Sequence, residues 1–221
     1  WPQVRGKKIM STLLPAISKN AKILALFAIV CTFSVGLVHL LTKDRINMQA
    51  QQQLIKQLNE IIPKNSHDNE MFRDCIIAPA DNNTDLLVDV IYRARLNGVS
   101  TAAAIKAIAP NGYSGNIELL IAINIDGSVS GVRALDHKET PGLGDKIELR
   151  KSSWIEKFSG KKMLDNNDTR WAVIKDGGMF DQFTGATITP RAVVQTVKKT
   201  ISYFKANQAD IFSNASNCES K

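Results

Sequence analysis

The sequence predicts an α+β protein: a single N-terminal transmembrane helix followed by one domain in which an antiparallel sheet packs with helices. Three stretches predict it. Ile23 to Leu41 reads ILALFAIVCTFSVGLVHLL, without Asp, Glu, Lys or Arg, close to the roughly 20 apolar residues that cross a bilayer as a helix. Asn116 to Leu135, NIELLIAINIDGSVSGVRAL, holds two β-prone runs joined by Asp126-Gly127, a pair that tolerates positive φ and suits a tight hairpin turn. Near the C-terminus, Val193, Val197, Ile201 and Phe204 recur at helical spacing, with Lys198, Lys199 and Lys205 left for the wet face.

The chain has 221 residues and a formal charge of +7, enough for one sizeable core plus an anchor. The charge is not that of a nucleic-acid binder, because no basic run interleaves with aromatics and no zinc or RNP-like motif occurs. It is concentrated ahead of the apolar run, where Arg5, Lys7, Lys8, Lys19 and Lys22 have no acid among them. On the other side Asp44 offsets Lys43 and Arg45. The positive-inside rule therefore places the N-terminus in the cytoplasm and everything after Thr42 across the membrane. A signal peptide is the rival reading, but VHLLTKDR offers no small-residue cleavage site. The expected organisation is a cytoplasmic segment at 1–22, a transmembrane helix at 23–42, a helical stalk and linker at 43–70, and an extracytoplasmic domain at 71–221.

Helix is expected to continue to Ile62, where Pro63 stops it. Leu54, Ile55, Leu58, Ile61 and Ile62 give this stalk an apolar stripe that should pack on its own domain. Short strands are expected at Cys75 to Ala78, Leu86 to Ala94 and Ala102 to Ile108. In the hairpin, Ile117, Leu119, Ile121, Ile123 and Ile125 should share one face and supply the core. Tyr113, just ahead, reads first as a packing aromatic and second as a ligand contact.

The hairpin runs into DHKETPGLGDKIE, from Asp136 to Glu148, where Pro141, Gly142 and Gly144 forbid regular structure and predict a constrained loop. Glu139 and Thr140 are suited to hydrogen-bonding a ligand edge, or to a turn in which the acid caps its own backbone. His137 reads as an ordinary polar residue, and Asp145, Glu148 and Glu156 as solvated acids without metal-loop spacing. Trp154, Phe158 and Trp171 should cover the sheet. The chain lacks GxSxG, HExxH and CxxC, so acyl transfer, zinc hydrolysis and thioredoxin-like chemistry have no key residues here, and neither a catalytic side chain nor a metal site is assigned. Cys31 lies in the apolar run. Cys75 and Cys218 both fall on the outer side, where a disulfide between them is possible.

The remaining stretch is DQFTGATITP, Asp181 to Pro190. Thr189 has the chemistry of an N-cap and Pro190 that of the first helical position. A Thr hydroxyl just ahead of that helix is well placed for phosphate, since unpaired N–H groups and the helix dipole favour an anion there. Thr184, Thr187 and Thr189 all carry hydroxyls there, Thr187 and Thr189 competing as acceptors, and Gly185 and Ala186 leave room around them.

Taken together, the anchor, GYSGNIELLIAINIDGSVSGVRALDHKETPGLGDKIELR and DGGMFDQFTGATITPRAVV resemble the G subunit of the Rnf/Rsx ion-translocating electron-transport complex, from Met10 to the end of the last helix. That family shares an FMN-binding domain with the C subunit of the sodium-pumping NADH:quinone reductase. It carries FMN by a phosphoester to the last threonine of D-x-x-S/T-G-A-T. The motif here is Asp181, Gln182, Phe183, Thr184, Gly185, Ala186, Thr187, so the resemblance implies covalent FMN on Thr187. It implies further that Asp181 is read by a flavin transferase, that Thr184, Gly185 and Ala186 lie at the cofactor, and that Glu139, Thr140, Gly142 and Leu143 form a second flavin-facing segment. The implied role is electron carriage in an inner-membrane complex linking ferredoxin and NAD to ion transport, with the domain in the periplasm and the other members of the complex as partners. Two readings compete: a structural or assembly subunit without flavin, and an enzyme holding flavin noncovalently.

Overall fold

The computed structural model describes residues 3–78 and 86–218, with side chains from residue 17 onward. Arg5, Lys7 and Lys8 of the expected cytoplasmic flank thus lie outside the described side chains. The chain divides into two compact units, Trp1–Gln53 and Leu54–Lys221.

The first unit is formed by helix α1 (Gln3–Ile61), whose last turns belong to the second. Within Ile17–Ile61 the most apolar 18-residue window has a mean hydropathy of 2.4 and none of it is buried in protein. Among the described residues this is the one helix long and apolar enough to cross a membrane. Two of its hydroxyls are satisfied locally: Ser34 donates to the Val30 carbonyl at 2.8 Å and Thr42 to that of Val38 at 2.7 Å.

The second unit is an antiparallel meander of β1 (Cys75–Ile77), β2 (Leu87–Leu96), β3 (Val99–Ala109), β4 (Ile117–Asn124) and β5 (Val129–Asp136), in spatial order 1-2-3-4-5. Strand alternation divides the core cleanly. Ile105, Leu119, Ile121 and Ile123 point to one face, which helix α2 (Ile188–Ser213) covers with Val193, Val197, Ile201 and Phe204. Trp154, Phe158, Trp171 and Phe180 complete that layer, Phe158 and Phe180 stacked at 4.4 Å.

Ala102, Ala104, Leu120 and Ala122 point to the other face, which is also covered. Leu58 and Ile61 at the end of α1, and Ile62 just after it, are buried there, each burial worth about 1.5–3 kcal/mol. Small residues make the approach possible: a Cβ at Gly131 would stand 2.9 Å from the Ile61 Cβ. Ile55, expected on the same stripe, is instead exposed.

Two tight hairpin turns show which residues set them. Leu96 pairs with Val99 across Asn97 (φ 51°) and Gly98 (φ 78°), the two positive φ values of a two-residue turn. At the predicted Asp126-Gly127 turn only Gly127 (φ 83°) takes positive φ, and its N–H closes the turn on the Asn124 carbonyl at 2.8 Å. Asp126 uses its carboxylate to accept from the Ser128 N–H and hydroxyl. Ile125 falls in this turn and is 43 % exposed rather than part of the core face.

The chain at 214–218 is tied back to β1. Cys75 and Cys218 form a disulfide pair with Cα atoms 5.6 Å apart. Arg93, 3 % exposed, pairs with Asp74 and donates to the carbonyls of Ile211 and Asn214. It thereby satisfies backbone groups that the end of α2 would otherwise leave open.

Candidate functional site

Three segments, distant in sequence, converge on one cavity of about 290 Å³: Tyr113, the loop from Glu139 to Gly144, and Gly185 to Thr189. The volume lies at the lower end of the ~300–1,000 Å³ usual for ligand sites.

The third segment owes its shape to Phe183. This ring is buried edge-on against Trp154, 5.1 Å between centroids. The Ala186 N–H returns to the Phe183 carbonyl at 3.0 Å, and Gly185 adopts φ +79°, the position at which a type II turn needs glycine. One anchored aromatic and one tight turn therefore push residues 184–187 outward. Upstream, the Trp154 Nε1–H donates to the Asp181 carbonyl at 2.8 Å, while the half-exposed Asp181 carboxylate pairs with Lys157.

Helix α2 starts two residues earlier than the sequence suggests. Thr187, not Thr189, is the N-cap; it sits at φ −82°, ψ −22° and its side chain makes no capping hydrogen bond. Pro190 is accordingly the third helical residue, still within the turn whose N–H groups have no intrahelical acceptor. Thr189 is fully buried and its hydroxyl donates to Glu139 Oε2, so it does not cap and is not a free competitor for modification. Asp176 anchors the same turn from outside, accepting twice from Arg191 at 2.6 and 2.8 Å. The Arg191 hydrogen bond holds the Asp176 carboxyl below its ordinary pKa.

The middle segment is closed by its own acids. Leu143 and Gly144 donate to the Thr140 carbonyl, and the Gly142 N–H (φ +79°) donates to Asp145 Oδ1 at 2.8 Å. Asp145 is therefore buried at 5 % exposure, not solvated as its sequence context suggests. His137 accepts the Glu139 N–H on Nδ1 and meets Glu148 through Nε2, both at 3.1 Å. Glu148 is likewise engaged, and hydrogen bonding to Arg150, then His137, lowers its carboxyl pKa.

Of the residues that the sequence points to, Thr187, Gly185, Ala186, Glu139, Thr140 and Leu143 line the cavity. Thr184, Asp181 and Gly142 do not: Thr184 is exposed outside it, Asp181 faces Lys157, and Gly142 shapes the loop. Gly144, which ends the expected flavin-facing loop, and Thr189, the competing acceptor, line it as well, and so does Ile188, which the sequence does not mark as a contact. Tyr113 is 68 % exposed at its rim, which removes the packing role expected first. No signal in the sequence brings residue 113 beside residue 187; only the β3–β4 connection does.

The donor set fits a phosphorylated, partly planar ligand. Thr187 offers a half-buried hydroxyl at a helix N-terminus, and the exposed apolar side chains of Leu143 and Ile188 flank it together with Tyr113. Among the described residues no group of three His, Cys, Asp or Glu could hold a metal ion.

Comparison with known proteins bears directly on this region. Residues 112–202 match the FMN-binding domain family, a span that contains all three cavity segments, and residues 10–61 match the RnfG N-terminal region. The chain is 49 % identical to the G subunit of the ion-translocating oxidoreductase complex of Aliivibrio fischeri (strain MJ11) over 213 residues, 95 % of this chain and 100 % of the relative. It is 51 % identical to the G subunit of the Shewanella oneidensis complex over 207 residues, covering 92 % and 96 % of the two chains. The corresponding protein of Vibrio atlanticus is 49 % identical over 206 residues, 93 % of this chain and 99 % of the relative. With an N-terminal region, an FMN-binding domain and near full-length identity of this order, the chain belongs to the family of G subunits of ion-translocating oxidoreductase complexes.

Proposed function

We propose that the chain is a membrane-anchored electron carrier in which FMN is held covalently on Thr187, and that it relays electrons within an ion-translocating oxidoreductase complex. The observation that carries this reading is the position of Thr187: an N-cap without a side-chain capping bond, at the mouth of a cavity, inside the span that matches the FMN-binding domain. Flavin supplies reversible one- and two-electron chemistry when bound, and the protein supplies its place and surroundings. Leu143, Ile188 and Tyr113 would exclude water from an aromatic ring, and the first turn of α2 would favour the phosphate.

Attachment requires an activated flavin pyrophosphate and a transferase. Thr187 Oγ1 would bond to the flavin-side phosphorus as the pyrophosphate P–O bond breaks, with a nucleoside monophosphate as the leaving group and the hydroxyl proton passing to a base. No electrons change hands in that step. Asp181, half-exposed beside Lys157 and outside the cavity, suits recognition by the transferase better than contact with the flavin.

We further place α1 across the bacterial inner membrane with 1–22 in the cytoplasm, 23–42 in the bilayer, 43–70 as stalk and 71–221 in the periplasm. The basic flank and the Cys75–Cys218 pair support that orientation, since disulfides persist in oxidising compartments. The test is intact-protein mass after denaturation, with peptide mapping, for the full chain and Thr187→Ala made alongside an active flavin transferase. An FMN-phosphoryl mass on the Asp181–Pro190 peptide, lost in Thr187→Ala, is expected. Colourless protein without added mass would refute the covalent carrier and favour a structural role in the complex.

A further inference from the structure

Glu139 is 5 % exposed, and both of its carboxylate oxygens are engaged with protein. Oε1 accepts the Ser114 N–H at 3.1 Å, from the turn that carries Tyr113, and Oε2 accepts the Thr189 hydroxyl, from the first turn of α2. Its own N–H is held by His137. One side chain therefore joins the three segments that make the cavity.

Two glycines leave room for it. A Cβ at Gly112 would lie 2.9 Å from Glu139 Oε1, and one at Gly144 would lie 2.7 Å from Oε2 and 2.9 Å from the Thr189 hydroxyl. The surroundings fit a carboxylate in this one pose. Meanwhile α2 begins without a side-chain cap at Thr187, and an uncapped helix start frays unless something else holds it.

We propose that Glu139 is a positioning residue: by clamping Thr189 to the 139–144 loop it fixes the first turn of α2 and so sets the Thr187 hydroxyl at the cavity mouth for phosphoester formation. The role deepens the covalent-flavin reading and rests on it for its consequence. The clamp is the chain's own and exists without flavin. It differs from a ligand-contact role for Glu139, because both oxygens already have protein donors.

Thr189→Val keeps the shape of the side chain and removes the hydroxyl, leaving a buried carboxylate oxygen without its donor. Thr189→Ser returns the donor. The full chain in detergent would be followed in two ways: the rate of FMN mass gain on the Asp181–Pro190 peptide with transferase and flavin pyrophosphate, and amide exchange at Arg191, Ala192 and Val193 in flavin-free protein. Those amides donate into the first turn, Arg191 to the Thr187 carbonyl. Thr189→Val should slow attachment about tenfold and speed exchange there about tenfold, the factor for the loss of one charge-assisted hydrogen bond. Exchange from Val197 to Phe204 should not change, and Thr189→Ser should restore most of both effects.

Wild-type behaviour of Thr189→Val in the exchange measurement overturns the clamp. So does acceleration spread evenly along α2, which marks a merely structural contact. Attachment at the wild-type rate in Thr189→Val overturns the positioning role while the flavin reading stands. If wild type gains no mass but the exchange contrast persists, the clamp stands and the covalent-flavin reading falls.

Discussion

Replacing Gly144 with alanine tests the packing behind the site. The added methyl would stand 2.7 Å from Glu139 Oε2, 2.9 Å from the Glu139 Cβ and 2.9 Å from the Thr189 hydroxyl. Ordinary contact begins near 3.4 Å, so three atoms of a buried pair must each retreat by about 0.5–0.7 Å, an overpacking that costs about 1–3 kcal/mol. For a domain of this size that corresponds to about 2–12 °C in Tm. Gly142→Ala is the control: φ there is +79° with nothing within 4 Å of a new Cβ, so it costs about 1–2 kcal/mol of left-handed backbone strain but crowds nothing. Both variants should melt earlier, followed by fluorescence of Trp154 and Trp171, which are buried in the domain core. Gly144→Ala alone should also accelerate amide exchange at Arg191. A Gly144→Ala protein that melts within about 1 °C of wild type, or a Gly142→Ala protein that disturbs Arg191 equally, would refute the reasoning.

Leu58→Ala should destabilise the domain by about 2–5 kcal/mol, because it empties a fully buried position on the α1-covered face, and chemical denaturation of the full chain measures it. Trp154→Phe removes the Nε1 donor to the Asp181 carbonyl; a loss of about 1 kcal/mol is expected, with protease sensitivity rising first around Asp181. Cys75→Ser should cost about 2–5 kcal/mol through a cross-link spanning 143 residues, and reductant should reproduce the effect in wild type but not in the variant. Hydrogen bonds to Arg150, Arg170, Arg191 and Ser128 hold Glu148, Asp168, Asp176 and Asp126 respectively below their ordinary pKa values. A carboxyl depressed in the folded state stabilises above its unfolded pKa and loses that contribution as pH falls toward the folded one. Melting temperature should therefore drop as pH falls below about 4.5, and a rise there would contradict the assignment.

Much of the architecture can be read from local pattern. The apolar run of α1, the β4–β5 hairpin and the buried face of α2 each announce themselves by period and by one turn or stop signal. The second sheet face is less visible, because its cover depends on what is missing: Ala102, Ala104, Ala122 and Gly131 form no apolar stripe, yet their small size admits Leu58 and Ile61. Asn97-Gly98 carries a hairpin signal as strong as Asp126-Gly127, and it is the one that uses both positive φ values. At the site, Thr187 stands out through its motif, but local pattern misplaces the start of α2, because Thr189-Pro190 looks like a cap followed by a first helical residue. The hydroxyl of Thr189 is taken by Glu139, a partner fifty positions away that no local pattern names. Tyr113 and Asp145 escape a local reading for the same reason, their surroundings being set by the convergence of loops.

The tie between the C-terminal tail and β1 also bears on self-association. β1 pairs with β2 on one side only, and its outer backbone would offer an open ladder to another chain. The tail occupies it: the Asn217 N–H reaches the Cys75 carbonyl at 3.2 Å, and the Ile77 N–H reaches the Asn217 side-chain oxygen at 2.7 Å. At the opposite margin Val129 of β5 exchanges hydrogen bonds with Gly160 and Lys161. Removing residues 215–218 would thus uncover a templating edge as well as loosen a terminus, and cross-β aggregation, rather than simple loss of helix, is the failure to expect of such a shortened chain.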